Sequence, residues 1–195
     1  SNRHYFAAQA LRRMGLDASR DVTLIQAGGE PEIVAALING AIDAGSMTTP
    51  ADKTGLPQGF RYLLFGPDLQ IAYAAANIVT RRSMIAKRPQ AAAAFMQVMA
   101  EAAKILHTNK EFTYKVLGKY LGITDPKIID AAFATEIKVM ERRLDVKAEG
   151  IQAILEEVAK TDPRAKTIRP QDLIDRRFLD EMAKNGSLDK LWASK

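Results

Sequence analysis

The stretch QAGGEPEIVAALINGAIDAG, from Gln26 to Gly45, constrains the fold more than any other part of this chain. Gly28 and Gly29 remove two Cβ atoms where the backbone leaves the β-prone run VTLIQ, so the chain can turn sharply or approach a ligand closely. Pro31 suits the first turn of a helix, because its missing N–H would have lacked an intrahelical partner anyway. Ile33, Val34, Leu37 and Ile38 then fall on one face at helical spacing, and Gly40 stands where a left-handed C-terminal cap is wanted. With the short run AIDAGS behind it, the stretch reads as a β-turn-α-turn-β unit. Such units imply a parallel sheet whose loops at the strand C-terminal ends are open to ligands. The N–H groups around Gly28 to Glu30 would then face an anionic or polar ligand at a helix N-terminus. A plain βα turn that merely needs glycine fits the same residues, because GG lacks the spacing of a dinucleotide or P-loop fingerprint.

The chain changes character near residue 80. Before it, β-prone runs at 22–26, 42–46, 61–65 and 71–80 alternate with helical patterns at Arg3 to Met14 and Pro31 to Asn39, which is an α/β pattern. Beyond it the pattern is helical at Pro89 to His107, Lys110 to Leu121, Pro126 to Arg143, Lys147 to Lys160, Pro170 to Asp175 and Arg177 to Asn185. Gly15, Gly122 and Gly186 stand as stop signals; Pro89, Pro126 and Pro170 stand at helix starts, with Asp125 as an N-cap. A small sheet with two early helices leaves one face poorly covered, and the first helix has no strand leading into it. The expectation is that part of the sheet lies upstream. The opening SNRHYFAAQALRRMG, helix-like and without an initiator methionine, fits a cut or processed N-terminus.

With 195 residues the chain can bury a sizeable core, and 47% hydrophobic with 26% charged residues is ordinary for a globular protein. The absence of cysteine excludes disulfides, thiolate catalysis and Cys-based zinc sites. The net charge of +5 is carried by scattered pairs such as Arg12 and Arg13, or Arg142 and Arg143, not by the basic stripe with interleaved aromatics of a nucleic-acid platform. His4 and His107 lack the company of carboxylates at metal-ligand spacing, and His107 fits a helix C-terminus. Glu30 and Glu32, two apart, diverge on a helix. Asp43 suits a turn cap better than a catalytic role. Nucleophile-elbow, P-loop and kinase signatures do not occur. Tyr5, Tyr62 and Tyr73 offer polar-tipped rings. SMTTP puts the hydroxyls of Ser46, Thr48 and Thr49 at the C-terminal end of an expected parallel strand, where open α/β sheets keep their ligand crevice.

Three stretches carry a family likeness: GLDASRDVTLIQAGGEPEIVAALINGAIDAGSMTTP, IVTRRSMIAKRPQAAAAFMQVMAEAAKILHTNKE and DPRAKTIRPQDLIDRRFLDEMAKNG. In this order the chain resembles the periplasmic solute-binding proteins of ABC importers, in the branch that binds nitrate, taurine, alkanesulfonates and pyrimidine precursors of thiamine. The most specific parts are G-x-x-E followed by A-L-x-x-G-x-I-D-A and Pro50, and VTR before a Pro-led helix.

The resemblance implies an α/β fold of the type II periplasmic-binding-protein kind. Residues 1–78 would form the second lobe, with a small mostly parallel sheet lacking its first strand. Residues 79–195 would form the crossover and C-terminal helices that pack on a first lobe of about a hundred residues. The implied ligand contacts are Asn2, Arg3 and His4, the turn Gly28, Gly29 and Glu30, and Thr48, Thr49 and Pro50. The implied function is capture of a small organic anion (sulfonate, taurine or carboxylate-like) or a heteroaromatic compound between lobes, and delivery to the membrane permease. It implies no catalysis, cofactor or metal, and a location in the periplasm or, lipid-anchored, at the outer face of the inner membrane. A pyrimidine-precursor enzyme and a sensory module on the same scaffold are the alternatives. An exposed sheet edge would also allow a dimer.

Overall fold

The computed structural model describes residues 2–49, 51–69, 71–74 and 77–193. Eleven helices appear among them: α1 (Asn2–Arg13), α2 (Glu30–Ile38), α3 (Ala51–Gly55), α4 (Arg82–Lys87), α5 (Pro89–Thr108), α6 (Lys110–Leu121), α7 (Pro126–Val139), α8 (Ala148–Val158), α9 (Pro170–Leu173), α10 (Arg177–Lys184) and α11 (Ser187–Ala193). Short 3₁₀ turns lie at Leu56–Gln58, Gly66–Leu69 and Pro163–Thr167.

Helix starts and stops follow the local chemistry. Pro31 stands in the first turn of α2 and Pro89 in that of α5. The Asp125 carboxylate accepts the Lys127 N–H at 2.8 Å at the start of α7. Beyond α2, Gly40 takes φ +66° and donates its N–H to Leu37, while Ala41 donates to Ala36, a left-handed cap that few other residues adopt at low cost. Gly15, Gly122 and Gly186 likewise have positive φ beyond α1, α6 and α10.

The expected parallel sheet is absent: no strand occurs among the described residues. The β-prone runs at 22–26, 42–46 and 61–65, and the described parts of 71–80, are irregular and unpaired by any ladder. Several of their apolar residues face solvent, with Ile25 63%, Leu63 58% and Val79 87% exposed, while others such as Val22, Ile42 and Phe65 are half-buried. The physical reason is that a strand exists only through a neighbour. Intrinsic β-propensity describes how well a residue fits a paired, half-buried surface and does not create one. The protein is therefore helical, not α/β with a second-lobe sheet, and a dimer through a sheet edge has no edge to use.

The chain divides into two compact units. The first comprises Ser1–Ile71 with Leu117–Glu136. Its buried apolar residues are Tyr5 on α1, Ile33 and Val34 on α2, and Ala132 on α7. Leu37 is half-buried, but Ile38, on the same expected face, is exposed. The helix α2 packs on α3, which places the loop between them beside the α2 N-terminus.

The second unit comprises Ala72–Val116 with Ile137–Lys195. Here α10 and α11 pack on each other and on α5, through Ala92, Ala100, Ala103, Leu179 and Leu188. Elsewhere α8 packs against α9, and Gly150 of α8 accepts the Ala74 N–H through its carbonyl at 3.3 Å. His107, expected at a helix end, sits in the last turn of α5. There its ring lies 3.3 Å from the Met140 carbonyl and meets Trp192 edge-on at 5.8 Å, so it joins elements as well as ending one.

Candidate functional site

Three segments of the first unit converge on Glu30. The turn at Gly28 has φ +98°, a conformation that suits glycine, and it sets Glu30 as the first residue of α2. Its side chain is only 19% exposed. Thr48 donates its hydroxyl to Glu30 Oε1 at 2.8 Å and shares its N–H between both carboxylate oxygens at 3.2 Å. From α1, the Arg3 guanidinium lies 3.6 Å from the same carboxylate and is 41% exposed. Glu32 turns instead toward the glycines: a Cβ built on Gly29 would lie 2.7 Å from its Oε2. The two acids diverge as their spacing implies.

A second cluster adjoins Thr48 in the chain. Thr49 donates its hydroxyl to Asp52 Oδ2 at 3.2 Å, and the Tyr62 hydroxyl donates to the same oxygen at 2.5 Å. Lys53 Nζ donates to the Tyr62 hydroxyl at 2.6 Å and lies 3.5 Å from Asp52 Oδ2. The ammonium also sits over two rings, 5.0 Å from the Tyr62 centroid and 5.8 Å from that of Phe65. These contacts move two proton affinities. The Tyr62 hydroxyl bond above all holds the Lys53 proton more firmly than usual, while burial, followed by the bond to Asp52, pushes the Tyr62 phenol up.

Of the residues implied as ligand contacts, Arg3, Glu30 and Thr48 are brought together, and Thr49 joins the neighbouring cluster. Gly28 and Gly29 are exposed at the turn that presents Glu30. His4 is exposed on α1, outside these hydrogen-bonded groups. Pro50 lies outside the described residues, as does the side chain of Asn2. Sequence reasoning did not single out Asp52 and Lys53. Asp52 follows Thr49 by three, the spacing of a helix-start hydroxyl–carboxylate pair, which is the one local signal for it. Nothing local connects it to Tyr62, ten residues on.

What the arrangement can do is hold a small polar solute at one rim. It offers a half-exposed guanidinium with five donors in a fixed fork, two threonine hydroxyls, and a tyrosine ring whose edge is tied down. Among the described residues no group of three histidine, cysteine, aspartate or glutamate side chains could hold a metal ion, and no helix is long and apolar enough to cross a membrane. Two shallow depressions in the second unit, one between α8 and α9 and one among α5, α10 and α11, are lined by other residues.

A family model, that of the NMT1-like family, matches residues 1–118. The chain belongs to the NMT1-like family. No curated protein and no solved structure matches it. The matched span contains every residue of both clusters, from Arg3 to Phe65. Membership in the NMT1-like family is consistent with the likeness to nitrate-, taurine- and sulfonate-binding proteins and suggests a solute-binding protein of the ABC-transporter type.

Proposed function

We propose that this chain is the substrate-binding part of an ABC-type import system, taking up a small organic anion (sulfonate, taurine or carboxylate-like) or a heteroaromatic compound. It would deliver that solute to a membrane permease, from the periplasm or from a lipid anchor at the outer face of the inner membrane, and perform no chemistry on it. One observation carries the reading. Arg3 and Thr48, from segments far apart in sequence, both come within 3.6 Å of the Glu30 carboxylate beside a glycine turn.

The physics of capture follows from that pairing. Glu30 occupies one side of the Arg3 fork at a long distance, so the remaining guanidinium donors are available to a sulfonate or carboxylate, which guanidinium groups bind in bidentate fashion. The hydroxyl hydrogens of Thr48 and Thr49 go to Glu30 and Asp52, which leaves their oxygens to accept from a solute, or to donate where the solute displaces the carboxylate. The Glu30 charge opposes weak, featureless anions, and a solute must outbid it for Arg3. That competition provides selectivity.

The test is a thermal-shift screen of the full-length gene product against sulfonates, taurine, nitrate, aromatic carboxylates and pyrimidines, with and without Arg3→Gln. A ligand at a hundred times its Kd stabilises the folded state by about 2.7 kcal/mol, and Arg3→Gln removes most of that gain for an anion. Turnover of a bound compound, or stabilisation by an anion that Arg3→Gln leaves intact, refutes the proposal.

A further inference from the structure

We propose that Asp52, Tyr62 and Phe65 form a receptor for a primary alkylammonium group, and that Lys53 occupies it as an internal stand-in for the ligand. The Lys53 ammonium makes the contacts an amine ligand would make. It donates to the Tyr62 hydroxyl at 2.6 Å, lies 3.5 Å from a carboxylate, and sits over two rings whose centroids are 5.4 Å apart at 58°. Aromatic faces of this kind attract cations through the ring quadrupole, more strongly as water is excluded.

The independent observation is Asp52 itself. Its side chain is only 8% exposed, and while Oδ2 accepts from Thr49 and Tyr62, the buried Oδ1 has no hydrogen-bond partner. A buried carboxylate oxygen without a donor is destabilising, so an arriving N–H that reaches it is repaid in full. Lys53 supplies the charge but not that bond. The receptor is also accessible, because Tyr62 is 40% exposed and the long lysine stem can swing its ammonium into water.

The ligand class follows from the donors required. A primary ammonium in the place of Lys53 can lie over the rings and donate to the Tyr62 hydroxyl and toward the Asp52 carboxylate, with an N–H to spare for Oδ1 should the side chain turn, whereas a quaternary ammonium has no N–H to donate. In the wild-type chain any such ligand competes with Lys53, so its apparent affinity is lowered by the fraction of molecules in which Lys53 remains in place. This goes beyond the anion site at Arg3. Its test uses cations with no acidic group, so either proposal can fail while the other stands.

The experiment is an NMR titration of the wild-type chain, Lys53→Met and the double variant Asp52→Asn/Lys53→Met with methylammonium, against tetramethylammonium and sodium at equal ionic strength. Methylammonium shifts the Tyr62 and Phe65 ring resonances saturably. It binds Lys53→Met at least about tenfold tighter than wild type, and tetramethylammonium binds at least about tenfold more weakly than methylammonium. The double variant loses the methylammonium response. Failure of Lys53→Met to bind methylammonium, equal affinity for the two cations, or binding unchanged by Asp52→Asn overturns the proposal. Should Lys53→Met not fold, the wild-type Lys53 side-chain resonances decide: displacement from the rings by methylammonium supports it, and their immobility at the highest concentration overturns it.

Discussion

A double-mutant cycle on Glu30 and Thr48 tests whether the glycine turn and the SMTTP loop are held together as the geometry implies. Thr48→Val removes one hydroxyl donor to a carboxylate at 2.8 Å, leaving the Thr48 N–H in place. Hydrogen bonds to charged groups contribute about 1.5–3 kcal/mol, and neutral ones about 0.5–1.5 kcal/mol. Thr48 is exposed, and solvent screening lowers this bond beneath the charged range into that of a neutral one, so Thr48→Val costs about 1 kcal/mol. Glu30→Ala removes that bond, the shared N–H contact and the half-exposed pair with Arg3, the last worth at most about 1 kcal/mol. Its total cost is about 2 kcal/mol. The two variants share the hydroxyl bond, so the double variant is less destabilised than their sum by about 1 kcal/mol. Urea unfolding of the four proteins gives each free energy, with unchanged slopes showing that the transition is the same one. A coupling within about 0.3 kcal/mol of zero, the scatter of independent sites, refutes the claim that Glu30 ties the two segments together.

Three other outcomes are expected. Leu188→Ala, at a position 2% exposed on α11, costs about 2.5–4 kcal/mol of stability to urea through lost burial and the cavity left behind; a cost below about 1 kcal/mol places Leu188 outside the core. Gly28→Ala forces a Cβ into φ +98° and costs about 1–2 kcal/mol, and circular dichroism with thermal melts that leave stability unchanged would show that the turn is shaped differently. Alkaline pH weakens the first unit. Lys53 and Tyr62 both hold their protons more firmly when folded, so their contribution is fully present below their ordinary values of 10.5 and 10.0 respectively and is lost as pH rises through the raised folded values. Urea midpoints from neutral pH to about pH 11 therefore fall, and the fall flattens in Tyr62→Phe; a profile identical in that variant rejects the assignment.

The longer helices were legible because their signals are local, whereas the short α3, α4 and α11 were not read and α7 stops at Val139, short of the expected Arg143. The apolar spacing of α2, Pro31 and Pro89 in first turns, the Asp125 cap and the left-handed Gly40 each act within one or two turns of their own residues. Chain ends of helices therefore follow from composition at hand, whatever the rest of the molecule does. The same was true of the divergence of Glu30 and Glu32, which helix geometry alone dictates.

Strands and site partners were decided elsewhere. VTLIQ and the run 71–80 carry β-branched residues, yet a ladder needs a second segment in register, and the fold provides none among the described residues, leaving Ile25 and Val79 in solvent. Glu30 could be placed at a helix start from GGEP, but Thr48 and Arg3 reach it only through the packing of the first unit. Asp52, whose neighbours in sequence say little, is buried with Oδ1 unpartnered while Oδ2 accepts from Thr49 and from the distant Tyr62. Sequence by itself determined what depends on neighbours along the chain: the capped and Pro-led starts of the longer helices, the glycine stops and the diverging acids. Tertiary structure alone decided pairing, burial and the company each charged group keeps, because those energies arise between residues that only folding brings within a few ångströms.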